Sequence, residues 1–245
     1  MTRIVRDEAI CLRSRPWRET SKLVTLFTRG HGRLVVMAKG ARRPLSKFGA
    51  GLEVLTLARV VFYRREGRHA HTLADADIVE AFPKLRSLGP NLAAGAVVVE
   101  FADRCFEAEV PHPGVFGLMR ESLRALDALR GESAPVALSF LLRAAGLLGY
   151  APEFGCCISC RRTRAATFST RRGGFLCARC AAQDPESVPV TGPTLHGLRC
   201  LAHHSFEQNR RAPLAAEVRD IVVSYLQFHL DRFDLKSLRR LPLPG

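Results

Sequence analysis

"SKLVTLFTRGHGRLVVMAKGARRPLSKFGAGLEVLTLARV", Ser21 to Val60, is the stretch that decides how the first part of this chain folds. Leu23 to Thr28 and Arg33 to Ala38 are β-rich runs joined by Arg29-Gly30-His31-Gly32, a strong hairpin signal. Gly40 and Pro44 break the chain after it. "GLEVLTLARVVFYRREG" then reads as a long strand whose apolar residues fall on both faces, as they would in a small barrel. Working outward, "IVRDEAICL" (4–12) is a strand followed by the loop "RSRPWRET", and "HTLADADIVEAF" (71–82) is a last strand. Five closely spaced strands with no helical period between most of them fit a small Greek-key barrel such as the OB-fold.

After Pro83 the pattern changes. "NLAAGAVVVEFADRCFEAEV", "PGVFGLMRESLRALDALRG" and "APVALSFLLRAAGLLGY" carry apolar residues at helical spacing, and so does "APLAAEVRDIVVSYLQFHLDRF" near the end. A chain of 245 residues accommodates one to two domains. The expectation is a multi-domain α+β protein, with a barrel domain over 1–82 and a helical domain over 83–245. The N-terminal "MTRIVRDEAICLRSR" is charged throughout, and no run approaches the ~20 apolar residues of a membrane helix. That implies a cytoplasmic protein with no membrane partner, in which cysteines stay reduced.

Charge is the unusual quantity. The net formal charge is +14, and it is unevenly placed: +8 over 1–80, −1 over 81–160 and +7 over 161–245. From Thr20 to Leu52 there is no Asp or Glu, while Lys22, Arg29, Arg33, Lys39, Arg42, Arg43 and Lys47 all fall in that window. A merely solvated basic surface accounts for an arginine excess but not for the missing acids. The pattern implies a polyanion, and nucleic acid above all.

Cysteine is the second signal. Cys157 and Cys160 form one C-x-x-C, Cys177 and Cys180 another, with sixteen residues between them. Two such knuckles can bring four thiolates to a tetrahedral centre, which suits a structural Zn²⁺ with no open coordination position. "TFSTRRGGFLC" between them reads as the hairpin of a zinc ribbon turning at Gly173-Gly174, in a module at about 154–183. Cys156 adjoins Cys157 and would replace it only through the poorer C-x-x-x-C spacing. Arg161, Arg162, Arg164, Arg171, Arg172 and Arg179 surround the pairs, as phosphate contacts or as a solubilising face. Cys11, Cys105 and Cys200 lie in apolar segments and read as core.

No constellation for catalysis emerges. There is no G-x-x-x-x-G-K-[ST] loop for a nucleotide, the eight histidines are scattered, and Asp75 and Asp77 stand too isolated for a two-metal nuclease. The chain reads as a binding protein and not an enzyme. Trp17 is the best candidate to stack on a base, against the plainer reading of a packed strand end. Phe27, Phe62 and Tyr63 read as core.

The order of a basic five-strand barrel, a helical part and an inserted four-cysteine knuckle resembles the RecO family of bacterial recombination mediators. The stretch quoted first carries the resemblance best, followed by "ADIVEAFPKLR", "GYAPEFGCCISC", "FSTRRGGFLCARC" and "LDRFDLKSLRRL" in the family's order. The resemblance implies binding of single- and double-stranded DNA and annealing of complementary strands. It also implies partnership with RecR and the acidic tail of single-stranded-DNA-binding protein, and indirect service to RecA at the nucleoid. It assigns the DNA contacts to Arg33, Lys39, Arg42, Arg43 and Lys47, and the zinc ligands to Cys157, Cys160, Cys177 and Cys180. An RNA- or ribosome-associated OB-fold and zinc-ribbon protein is the alternative.

Overall fold

The computed structural model describes residues 2–65, 67–128, 132–209, 214–231 and 233–242. Its first part is a closed barrel of β1 (Thr2–Trp17), β2 (Ser21–Thr28), β3 (Gly32–Ala38), β4 (Leu57–Arg65) and β5 (His71–Glu80). The strands run in the OB-like order β1-β2-β3-β5-β4, with β3 and β5 parallel and every other pair antiparallel.

Two boundaries differ from the sequence expectation. Arg13 to Trp17, expected as loop, continue β1, because that strand serves two partners. Its residues 2–10 pair with β4 and its residues 9–17 with β2, and an irregularity between Cys11 and Arg13 lets it bend. Pro16 is tolerated close to the strand's end, where a missing ladder donor costs least. β4 starts later than expected because Gly49–Leu52 form a 3₁₀ turn that seats Phe48 and Leu52 in the barrel interior.

Alternation along these strands explains the apolar residues on both faces. Cys11, Leu26, Ala58, Val60 and Phe62 point into the barrel, while Ile10, Leu12, Phe27 and Leu57 point outward into the core of the helical part. Tyr63, expected in the core, is instead 39% exposed, since it faces away from both.

The helical part is built from α1 (Pro83–Ser87), α2 (Gly89–Cys105), α3 (Pro113–Ala128), α4 (Ala134–Leu147), α5 (Ala178–Ala181), α6 (Gly192–His203), α7 (Phe206–Asn209) and α8 (Ala216–His229). α4 is buried around most of its circumference, from Val136 through Leu142, as an all-apolar helix must be. Phe101 on α2 packs edge-on against Phe106, Phe140 and Phe233, and Phe106 in turn against Phe27 of β2. Among the described residues no helix is long and apolar enough to cross a membrane.

The segment after α2 closes on the β2–β3 hairpin. Glu109 N–H donates to the Arg33 carbonyl at 2.8 Å, and the Arg33 side chain donates to the Phe106 carbonyl at 3.1 Å. Gly32 has φ +65°, and a Cβ there would lie 1.9 Å from the Val110 carbonyl oxygen. Glu109 also accepts from Arg64 at 2.8 Å and from buried His71 at 3.2 Å. Partial burial alone would raise the Glu109 carboxyl, but Arg64 and His71 overbalance it and hold it below its ordinary value of 4.5.

Two expectations follow from this closure. Gly32→Ala forces both a left-handed alanine, at about 1–2 kcal/mol, and displacement of the Val110 carbonyl, so its thermal unfolding midpoint should fall by several degrees. An unchanged midpoint would show that the 106–110 segment does not bear on the hairpin. The depressed Glu109 carboxyl contributes stability that is complete above its unfolded value and lost as pH falls through its lower folded value. Urea unfolding stepped down from about pH 6 to about pH 3 should therefore cost the parent more stability than Glu109→Gln.

Candidate nucleic-acid interface and metal centre

The acid-free loop is anchored at both ends. Phe48 is buried in the barrel, and the loop turns through backbone bonds from Arg43 N–H to the Gly40 carbonyl at 3.1 Å and from Ser46 N–H to the Arg43 carbonyl at 3.1 Å. Arg42 clamps it to the β1–β2 turn. Its backbone N–H donates to the Thr20 carbonyl at 2.9 Å, and one guanidinium nitrogen donates to the Arg18 and Glu19 carbonyls at 3.0 Å each. Lys47 lies over the Phe48 ring at 5.5 Å. Lys39 and Arg43 line an open groove with Arg18, Glu19 and Met37.

Lys39, Arg42, Arg43 and Lys47 are all exposed, and none pairs with a described acid. Leu45, between them, is 99% exposed. The structure thus brings four of the five expected cations together on one loop. It places Arg33 apart from the other four. Arg33 is the second residue of β3, Lys39 follows the end of that strand, and six residues of strand span roughly 20 Å. Its guanidinium is committed to the Phe106 carbonyl and, at 3.6 Å, to Asp103. Arg33 joins the barrel to the helices.

Arg15 and Arg18 are cations beside the loop that sequence reasoning passed over, since "RSRPWRET" carried no periodicity to place them, and Lys22 of the acid-free window joins them. The strand pairing of Trp17 with Ser21 and of Pro16 with Lys22 brings them to the same end of the barrel as the loop. Trp17 is 41% exposed there, so it is not a core residue.

The second cluster is the four cysteines. β6 (Thr167–Ser169) and β7 (Gly174–Leu176) form the expected hairpin, and β8 (Val188–Pro189), which was not anticipated, adds a third strand beside β6. A Cβ on Gly174 would lie 2.6 Å from the Glu153 carbonyl, so glycine is what lets the chain before the first knuckle pair with β7. The sulfurs of Cys157, Cys160, Cys177 and Cys180 all lie within 4.8 Å of one another, and those of Cys160 and Cys177 are 3.6 Å apart. A tetrahedral site with bonds of about 2.3 Å needs sulfurs about 3.8 Å apart, so the four can hold a thiophilic metal ion. Cys156 lies outside the cluster.

The thiol electrostatics agree with ligand geometry. Burial would push Cys157 up, but N–H groups of Cys177, Cys160 and Ser159 aimed at its sulfur overbalance this and hold it down to about 6. The Cys180 N–H lowers Cys177 likewise. Cys180 goes the other way, up to about 12, through hydrogen bonds with the sulfurs of Cys177 and Cys160. Crowded thiolates keep a shared proton unless a cation neutralises them.

The module is tied to the helices on two sides. Arg199 of α6 donates to the Phe154 and Gly155 carbonyls at 2.6 and 3.1 Å. Tyr225 of α8 donates to the Tyr150 carbonyl at 3.1 Å, and His229 Nε2 to the Thr170 carbonyl at 2.9 Å. Two of the six arginines around it are neutralised, Arg161 by Glu153 and Arg171 by Glu186. Cys11 and Cys200 are buried as expected, with Cys11 pushed up to about 12 by burial, while Cys105 is half-buried against the helical core.

The family model for Recombination protein O, N terminal, matches residues 1–82, and that for Recombination protein O, C terminal, matches residues 86–239. The chain belongs to the RecO family. A DNA repair protein RecO of a Nocardioides species is 37% identical over 249 aligned positions, covering 96% of this chain and 98% of that protein. The RecO of Pelotomaculum thermopropionicum is 32% identical over 243 positions, with 96% and 92% covered. That of Bacillus subtilis is 28% identical over 244 positions, with 97% and 94% covered. Membership in the RecO family places the chain in DNA repair and recombination.

The cluster geometry distinguishes the adjacent cysteines. Metal content measured by atomic emission on purified protein should be unchanged in Cys156→Ser and abolished in Cys157→Ser. The reverse result would move the ligand to Cys156.

Proposed function

We propose that this chain is a non-enzymatic recombination mediator. It binds single- and double-stranded DNA, anneals complementary strands and, together with RecR, helps load RecA onto strands coated by single-stranded-DNA-binding protein. In this reading 1–82 is the DNA-binding domain, 83–245 is the helical domain, and the cysteine module holds a structural Zn²⁺ through Cys157, Cys160, Cys177 and Cys180. Four thiolates leave that ion no open position, so it supports the fold and takes no part in annealing.

The observation that carries the proposal is the clamped loop that holds Lys39, Arg42, Arg43 and Lys47 in solvent, with none of them ion-paired to an acid among the described residues. Unpaired cations attract phosphates, and each phosphate engaged releases condensed counterions. Such contacts read no sequence, which suits a protein acting at any break. Annealing follows from the same charge, since screening the phosphates of two strands lowers their mutual repulsion and raises their local concentration. Trp17, exposed at the same end of the barrel, supplies a ring on which a base of a single strand stacks.

The test is fluorescence anisotropy of a labelled single strand across a salt series. The parent should bind with a steep salt dependence. The variant Lys39→Glu/Arg42→Glu/Arg43→Glu/Lys47→Glu, shown folded by circular dichroism, should lose most of the affinity. Its log–log salt slope should shrink by about 3, at about 0.7 per single-strand phosphate contact. Equal binding by the two proteins would remove the loop from the DNA site. Tighter binding to RNA of the same sequence would instead favour the ribonucleoprotein alternative.

A further inference from the structure

The proposed DNA site ends, on the barrel, at the β1–β2 turn. What lies beyond it is α2, the helix on which the barrel and the turn at 236–240 converge. On one side α2 packs against the outward face of the barrel. On the other it carries the 3₁₀ turn Lys236–Arg240. The Glu100 carboxylate pins that turn, accepting from the backbone N–H groups of Lys236 at 3.1 Å and Ser237 at 2.8 Å. Burial would raise the Glu100 carboxyl, but hydrogen bonds from Ser237 and Lys236 and the charge of Arg104 overbalance it, so it stays ionised and the turn stays fixed. Leu238 is buried beneath the turn, while Lys236, Arg239 and Arg240 are exposed and unpaired with any described acid.

Two open grooves meet on α2. One, of about 500 Å³, runs from Pro16 and Lys22 at the barrel's end to Leu92 and Ala96. The other, of about 650 Å³, runs from Leu92 and Ala96 to Lys236, Arg239 and Arg240. They share Leu92 and Ala96 and so adjoin along α2, giving a channel-like path with apolar residues at its middle and cations at either end. Leu92 is 43% exposed on that path. The acids along it are engaged: Glu53 pairs with Arg86 at 3.2 Å, and Glu100 holds the turn. Ser21 lines the groove of Arg18, Lys39 and Arg43 and Lys22 lines this one, so both open at the same end of β2.

We infer that a single DNA strand leaving the barrel crosses α2 in this channel, bases on Leu92 and Ala96, phosphates on Lys22 and on Lys236, Arg239 and Arg240. The inference rests on the DNA-binding reading above and extends it: the basic N-terminal and C-terminal ends of the chain act on one strand. Charge selects a polyanion, and the apolar middle between two cationic ends selects a strand whose bases are unpaired. A duplex keeps its bases stacked inside and has no use for that apolar middle.

The test compares oligothymidylates of about six and about twenty nucleotides, shorter and longer than one OB-type site. The parent is set against Lys236→Glu/Arg239→Glu/Arg240→Glu, whose substituted side chains are exposed, with matching unfolding midpoints required of both. The short strand should bind both proteins equally. The long strand should bind the parent more tightly, and the variant should lose that gain together with about 2 from the salt slope. Benzophenone placed at position 92 should cross-link to the long strand and not to the short one.

If the parent and the variant bind the long strand alike, the channel is not part of the path, and the barrel reading stands. If the parent binds neither strand, the barrel reading fails and this inference with it. If a short poly-glutamate peptide binds the parent but not the variant without displacing the long strand, the channel is a protein-docking site and the inference is overturned.

Discussion

Everything else in this structure leans on the packing of α2 between barrel and helices, and on Phe101 at its centre. Phe101 is fully buried and meets Phe140 at 5.7 Å, Phe233 at 6.2 Å and Phe106 at 5.9 Å, and Phe106 meets Phe27 of the barrel at 5.4 Å. Edge-to-face contacts of this kind add about 0.5–1.5 kcal/mol each beyond the area they bury. The column runs from a barrel strand through two helices to the C-terminal segment. It makes the outward face of β1 and β2 part of the helical core, so that one strand serves two interiors by the alternation of its side chains.

Charge is arranged around that contact in a way the totals conceal. The neutral middle of the chain supplies acids to arginines that the barrel–helix junction would otherwise leave unpaired. Asp103 faces Arg13 and Arg33 and Glu109 holds Arg64 and His71, while in the opposite sense Glu80 of β5 holds Arg124 of α3 at 2.7 Å. With those acids engaged at the junction, Glu19 is the acid that lines the groove of Lys39 and Arg43, and among the described residues none of Lys39, Arg42, Arg43 and Lys47 forms an ion pair. The barrel therefore has a compensated end at the helices and an uncompensated end in solvent. Around the cysteine module the compensation is partial, with Arg161 held by Glu153 and Arg171 by Glu186.

Local signals were legible and reached far. The hairpin around Gly30 and Gly32, the five strands and the change of period after Pro83 depend on neighbours within a few residues, and each appears, with β1 longer and β4 starting later than its pattern put it. The two C-x-x-C pairs were equally plain, since a knuckle is itself a local turn whose N–H groups face sulfur. What escaped depended on distant partners. The extension of β1 to Trp17 needs β2 alongside, β8 is too short to carry a pattern, and the commitment of Arg33 needs Asp103, seventy positions on in the chain.

The sequence by itself determined the fold class, the cysteine quartet and the existence of an uncompensated basic loop, because strand period, knuckle spacing and the absence of acids are properties of contiguous residues. Only the tertiary structure decided that Cys157 and not Cys156 faces the other three sulfurs. It alone took Arg33 from the loop's company into the junction, and it alone laid the turn of Lys236, Arg239 and Arg240 on the helix that meets the barrel. Each of those outcomes turns on which way a side chain points, or on two segments over a hundred residues apart packing on one helix, and neither is written in the order of residues along the chain.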